Sequence, residues 1–167
     1  YWWVLYDLID TMIANYYAGK PMPKNVSWET YGKNLTVLLD LMDAIGYAGT
    51  QREIQLFSTA LLNNINSIIT QETTSKRKHA LNYTLYLYSG HDTTIHPILA
   101  AFNIINGSCI WQNYLTPNSY PNCVSPRFAS NIEFVLDKDS LGNYSIKLLY
   151  NSNQVPICST GTCSIDD

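Results

Sequence analysis

Apolar side chains recur at nearly every turn from Trp2 to Tyr17, where Leu5, Leu8, Ile9, Met12, Ile13 and Tyr16 line up as one stripe. That period predicts a helix, ended by Gly19 and the Pro21/Pro23 pair. A second helix is predicted from Glu29 to Ile45, with Leu38, Leu41, Met42 and Ile45 on one side and Gly46 after it. The third pattern is the clearest. Ile54, Phe57, Leu61, Ile65 and Ile68 return at three- and four-residue steps, which places them on one helical face. Most of these positions need only a packing role.

The polar stretch from Glu72 to His79 closes the helical region, and its Lys76-Arg77-Lys78 cluster reads as a solvated linker. The period then changes. Thr84 to Tyr88 alternates and is rich in aromatic and β-type residues, so a strand is predicted there. Helical spacing resumes from Ile95 to Ile105, with Pro97 acceptable only in a first turn. Late in the chain, Ile132, Phe134 and Leu136 alternate with polar or smaller residues, as do Tyr144, Ile146, Leu148 and Tyr150. Leu141-Gly142-Asn143 between them predicts an antiparallel hairpin. The expected organisation is therefore a helical part, residues 1–78, followed by an α/β part, residues 79–167, within one structural domain. No internal repeat is visible, which excludes solenoids.

Composition narrows the classes. The 167 residues are 46% apolar and 14% charged, with a formal charge of −3, a balance that argues against disorder. Isolated basic residues give no footprint for nucleic acid, and no apolar run reaches the roughly 18–20 residues that span a bilayer. The opening Tyr1-Trp2-Trp3, followed by Val4, Leu5 and Leu8, would make an unusual exposed terminus. It reads as a helix cut from a larger domain, so the chain is expected to be a fragment or processed product.

Four cysteines form two close pairs. Cys109 and Cys123 flank a loop rich in Asn, Pro, Ser and Tyr, while Cys158 and Cys163 bracket Ser159-Thr160-Gly161-Thr162. An even count, local spacing and polar loops favour two disulfides and an oxidising compartment; closing a ~15-residue loop is worth about 3 kcal/mol in the chain-entropy account. Zinc fits less well, because neither pair has C-x2-C spacing. Asn25, Asn34, Asn82, Asn106 and Asn143 each begin an N-x-S/T sequon and are candidate glycosylation sites. Together these features lean toward a secreted protein or one of a lysosomal or vacuolar lumen.

Chemistry concentrates at Ser89-Gly90-His91-Asp92-Thr93-Thr94, between the predicted strand and the predicted helix. In α/β folds ligands bind at the carboxyl ends of strands, and a helix start offers free N–H groups and partial positive charge to an anion. There a His can hydrogen-bond an anion and a neighbouring carboxyl can protonate a leaving group; burial and a nearby anion both raise a carboxyl pKa. The plainer reading is that Asp92 or Thr93 caps the helix and His91 is a turn residue. A metal site drawn from His91, Asp92 and His96 has an incomplete ligand set and no standard spacing, and Arg127 is expected to anchor a loop. No cofactor is called for.

The segment Leu85-Tyr86-Leu87-Tyr88-Ser89-Gly90-His91-Asp92-Thr93-Thr94-Ile95 resembles the second signature of the histidine acid phosphatases, a hydrophobic strand and small-residue turn before His-Asp-Thr-Thr. Val4-Leu5-Tyr6-Asp7 is similar to a helix of that family's α-domain, Ser125-Pro126-Arg127-Phe128-Ala129-Ser130 to the approach to its late hairpin, and Cys158–Cys163 to a pair near its end. The resemblance is collinear over nearly the whole chain. It implies a phosphomonoesterase with a phosphohistidine intermediate, in which a first His of an R-H-G-x-R-x-P motif attacks phosphorus and arginines hold the phosphate oxygens. By motif match, His91 would bind phosphate and Asp92 would protonate the leaving alcohol.

The chain departs from the pattern at the nucleophile. Its arginines are Arg52, Arg77 and Arg127, none precedes a His, and no R-H-G occurs. The resemblance therefore covers about the second half of the domain: later α-domain helices, one central strand with its helix, and the closing hairpin. The parent is expected to be an acid phosphatase, the chain alone to have little turnover, and the absent half to be its natural partner. A non-catalytic, phosphate-binding relative is the alternative, and the aromatic-rich helices leave a homodimer open.

Overall fold

The computed structural model describes residues 1–74, 85–159 and 161–165. Among the described residues five helices precede a small sheet: α1 (Trp2–Tyr17), α2 (Trp28–Ala48), α3 (Gln51–Thr74), α4 (Asp92–Ala101) and α5 (Gly107–Leu115), then β1 (Ile132–Lys138), β2 (Tyr144–Tyr150), β3 (Asn153–Val155) and β4 (Thr162–Ser164). All pairings are antiparallel, with β1 on one side of β2 and β3 and β4 on the other. This helix-and-sheet arrangement is consistent with the expected α/β class.

Local chemistry sets the helix ends. Ser27 caps α2, its hydroxyl accepting from the Thr30 amide at 3.3 Å and donating to Glu29 at 2.7 Å. Thr50 and Glu53 cap α3 reciprocally: the Glu53 carboxylate accepts from the Thr50 amide at 2.8 Å, and the Thr50 hydroxyl accepts from the Glu53 amide at 3.2 Å. Between α2 and α3 lies Gly49, where a Cβ would sit 2.5 Å from the Ile45 carbonyl oxygen. A side chain there would press on the last turn of α2, and the helix ends at Ala48, two residues beyond Gly46.

Two clusters hold the molecule together. Ile9 and Ile13 of α1 pack with Leu39 and Met42 of α2. The larger cluster joins Ala44 of α2, Leu99 of α4, Ile105, Ile110 of α5 and Leu148, Tyr150 and Val155 of the sheet. Removing a fully buried aliphatic chain such as Leu148 or Leu99 from this interior costs about 2–5 kcal/mol. α2 packs against α1, α3, α4 and α5 and is the hub of the helical layer.

Sequence expectations and structure agree on α1 and on the hairpin, where Phe134 lies opposite Leu148 and Leu136 opposite Ile146. The two disulfides join Cys109 to Cys123 and Cys158 to Cys163. Elsewhere the structure corrects the reading. The buried face of α2 carries Leu39, Asp40, Met42, Asp43 and Ala44, whereas Leu38 and Ile45 are exposed. In α1, Leu5, Leu8 and Tyr16 are exposed while Ile9, Met12 and Ile13 are buried. α3 runs on to Thr74, so the expected linker starts inside a helix, and residues 75–79 of it lie outside the described residues.

The expected strand at Thr84–Tyr88 does not form within the described residues. Residue 84 lies outside them, residues 85–90 carry no strand, and Leu85 and Leu87 are 77% and 89% exposed. A strand exists only against a ladder partner, and the partners of the sheet that does form are all later in the chain. The expected helix Ile95–Ile105 is instead Asp92–Ala101, which puts Pro97 in its interior, where no amide answers the Thr93 carbonyl. α5, β3 and β4 had no counterpart in the sequence reading.

Candidate functional site

His91 is the N-cap of α4, with extended backbone (φ −113°, ψ 172°), and Asp92 is its first helical residue. The His91 amide reaches the Thr94 hydroxyl at 3.5 Å, while one Asp92 carboxylate oxygen accepts from the Thr93 amide at 2.7 Å. Gly90 is tight against Thr94, whose side-chain atoms would lie 3.2 Å from an added Cβ. Both His91 and Asp92 are exposed, so the burial invoked to protect a proton on Asp92 is not supplied by the described residues. The helix start faces solvent, with the Thr93 amide given to Asp92 and the Thr94 and Ile95 amides donating to the His91 carbonyl at 2.9 and 3.1 Å.

Behind this turn lies a set of acids that the sequence reading missed. Asp43 of α2 is 8% exposed, and its Oδ1 is buried without a hydrogen-bond partner among the described residues. Burial, with the charges of Asp92, Asp40 and Asp10 added, pushes its pKa up to about 7, against the pull of a hydrogen bond from Tyr6 of α1. Tyr6 is pushed strongly upward in turn, first by burial and then by Asp43. Asp10 and Tyr47 are also raised, first by burial and then by neighbouring carboxylates that include Asp92. The charge of Asp92 therefore reaches α1 and α2 together. What signalled these residues was two charges set three apart inside the apolar run Leu38-Leu39-Asp40-Leu41-Met42-Asp43-Ala44-Ile45.

His96 lies a turn deeper in α4, 1% exposed, with neither ring nitrogen hydrogen-bonded among the described residues. Burial drives its pKa down to about 4, against the opposite pull of Asp40 and Asp92, so it is a neutral core residue. Arg127 anchors the loop before β1, as expected: its guanidinium donates to both carboxylate oxygens of buried Asp40, at 2.5 and 2.7 Å. That bidentate hydrogen bond is the first cause that raises Arg127.

The remaining candidates are scattered. Cys109 and Cys123 line a cleft of about 390 Å³, beside Phe102, Asn106 and Pro156 and without His91 or Asp92. Cys158 and Cys163 tie the β3–β4 connection. Among the sequons, Asn25 lies in the turn before α2 with positive φ, Asn34 of α2 accepts from the Tyr114 hydroxyl at 2.9 Å, Asn106 caps α5 and Asn143 donates to Asp139 in the hairpin turn. Asn82 lies outside the described residues.

Comparison with protein families decides the lineage. The family model described as histidine phosphatase superfamily (branch 2) matches residues 9–151. The chain belongs to the histidine phosphatase superfamily. Members of this superfamily are phosphatases, and the match spans α1 to β2, including the His91–Asp92 turn and the hairpin. A comparison with curated proteins found no match. For a histidine phosphatase, the described site is half electrostatic. His91 and Asp92 stand exposed at a helix start, while the groups whose charge is coupled to Asp92 are carboxyls, tyrosines and a neutral His. The bound cation near them, Arg127, is committed to Asp40.

Proposed function

We propose that this chain supplies the phosphate-binding and proton-donating part of an acid phosphatase, with the nucleophilic His and the phosphate-holding arginines contributed by an R-H-G-x-R-x-P segment N-terminal to it. The supporting observation is the placement of His91 and Asp92 side by side at the exposed start of α4 in a histidine phosphatase superfamily chain. In this reading the nucleophilic His forms a P–N bond as the ester P–O bond breaks. Asp92 gives its proton to the departing alkoxide while His91 and the helix start hold the phosphoryl oxygens. Water then attacks phosphorus, its proton passes to the Asp92 carboxylate, and phosphate and the free His are released.

The acid-rich surroundings of Asp92 favour this division of labour, because a dianionic ester needs positive charge that these groups do not provide. The exposed side chains of Leu85, Leu87, Trp2, Trp3 and Leu8 offer the proposed N-terminal half an apolar seat. The disulfides suit a secreted or lysosomal or vacuolar location.

The test is turnover of p-nitrophenyl phosphate by the protein expressed from its complete reading frame. Asp92→Asn should lower kcat by about 10²–10⁴-fold with KM little changed, as loss of a general acid does. Full turnover in that variant removes Asp92 from the role. Phosphate binding with no turnover in the unsubstituted protein would make it a non-catalytic binding relative.

A further inference from the structure

We propose that Asn106 carries an N-linked glycan and that its first sugar lies in the cleft between the α4–α5 turn and the loop after α5. The inference rests on the secreted or lysosomal or vacuolar reading above and extends it. Asn106-Gly107-Ser108 is a sequon. Both Asn106 and Ser108 line the cleft of about 390 Å³, a volume within the range of about 300–1,000 Å³ typical of small-ligand pockets. Asn106 is exposed, and its Oδ1 accepts from the Cys109 amide at 2.9 Å as the cap of α5. Its Nδ2 donates to no group among the described residues. Transfer from a lipid-diphosphate oligosaccharide forms the bond from sugar C1 to Nδ2 as the C1–O bond to diphosphate breaks, with one Nδ2 proton released. The acceptor oxygen is untouched, so cap and glycan coexist.

The chemistry of this cleft suits a sugar rather than a phosphate ester. Among the described residues that line it, none is Lys, Arg, His, Asp or Glu. Asn103, Asn122 and Ser119 offer amides and a hydroxyl, while Tyr120, half exposed, offers a ring on which the C–H face of a pyranose can pack. An N-acetylhexosamine matches both, being neutral, rich in donors and acceptors along its edge, and apolar on one face. The far wall is already in place. Asn113 of α5 donates to the Tyr120 carbonyl and accepts from the Tyr120 amide, both at 2.8 Å, and donates to the Cys123 carbonyl at 3.0 Å. The Cys109–Cys123 bridge ties that wall to the start of α5, so little order has to be gained when a sugar enters. Transfer acts on the chain before it folds, and the fold then decides which attached sugar is held. Asn25, Asn34 and Asn143 lie outside this cleft, and Asn143 uses its Nδ2 on Asp139 at 2.9 Å.

The test uses the protein expressed from its complete reading frame in a eukaryotic host. Peptide mass spectrometry should find N-acetylhexosamine on Asn106. Ser108→Ala deletes the sequon and keeps the capping Asn106, and its Tm should fall about 2–4 °C below that of the glycosylated protein. Tyr120→Ala should lower Tm by a similar amount in the glycosylated protein and leave it nearly unchanged in the Ser108→Ala background, where the ring has no sugar to hold. Should Ser108→Ala fold poorly, Asn106→Asp gives the unglycosylated protein with a capping oxygen in place. Equal effects of Tyr120→Ala with and without the glycan overturn the seat in the cleft. A bare Asn106 in a protein that has entered the secretory route overturns the proposal and leaves the compartment reading standing. A protein left in the cytosol overturns both.

Discussion

Arg127 and Asp40 form a two-pronged ion pair that bolts the loop before β1 onto the middle of α2. The acid is buried and the base about half exposed, so the pair lies between the surface and interior extremes. Exposed pairs are worth about 0–1 kcal/mol, and breaking buried ones costs about 3–5. Arg127→Ala should therefore destabilise by about 2 kcal/mol in urea unfolding, and Asp40→Asn on that background should recover part of the loss. A change below about 0.5 kcal/mol in Arg127→Ala would mean that the loop is held by other contacts.

His96 and Asp43 make opposite demands on pH. His96 has a folded pKa near 4 against about 6.5 when unfolded, so its stability is full above 6.5 and is lost as pH falls toward 4. Asp43 has a folded pKa near 7 against about 3.9 when unfolded, so its stability is full below 3.9 and is lost as pH rises toward 7. The windows overlap and the slopes nearly cancel between about pH 4 and 6.5. His96→Leu should leave a protein that weakens as pH rises through that range, and Asp43→Asn one that weakens as it falls. Unfolding midpoints measured at half-unit steps would show parallel curves if neither group is buried as described.

Trp28 lies across the groove over Gly32 and stacks on Tyr16 at 4.1 Å between ring centroids. A Cβ at position 32 would meet the indole at 2.5 Å. Gly32→Ala gains about 1 kcal/mol of helix propensity and loses about 1–3 from overpacking. The expected result is a net loss near 1 kcal/mol with a changed near-ultraviolet tryptophan signal. A stabilised variant with an unaltered signal would show that the stack is not held in place.

The Cys109–Cys123 bridge closes a separation of 14 residues and fastens α5 to the loop after it. Replacing both cysteines with alanine should cost about 3 kcal/mol, read as a lower Tm. Equal melting of the two proteins would place no stabilisation in this bridge.

What could be read from the sequence was local. α1 and the β1–β2 hairpin depend on periods of 3.6 and 2 within a single segment, and Trp2–Tyr17 and Ile132–Tyr150 carry those periods cleanly. α5 was hidden because its apolar Cys109, Ile110 and Leu115 are spread among residues that also make turns, and its start depends on one side chain, the Asn106 cap. The face of α2 was misjudged for a different reason. Leu38 and Ile45 look more buried than Asp40 and Asp43 until Arg127 and Tyr6 are brought up from distant parts of the chain. The same holds for the site. His91 and Asp92 are adjacent and were visible as a pair, whereas the acids coupled to them belong to other helices.

The central place of α2 limits how this chain can vary in length. Adding or deleting one residue turns everything downstream in a helix by about 100°. Within the 21 residues of α2, such a change between Asp40 and Asp43 would uncouple Arg127's anchor from Tyr6's partner, and between Gly32 and Asp40 it would swing both away from the aromatic stack. Turns such as Gly19 to Val26, or the hairpin tip at Leu141–Asn143, can absorb a residue without rotating any buried group. Insertions and deletions in relatives of this chain should therefore spare residues 28–48 and collect in those turns.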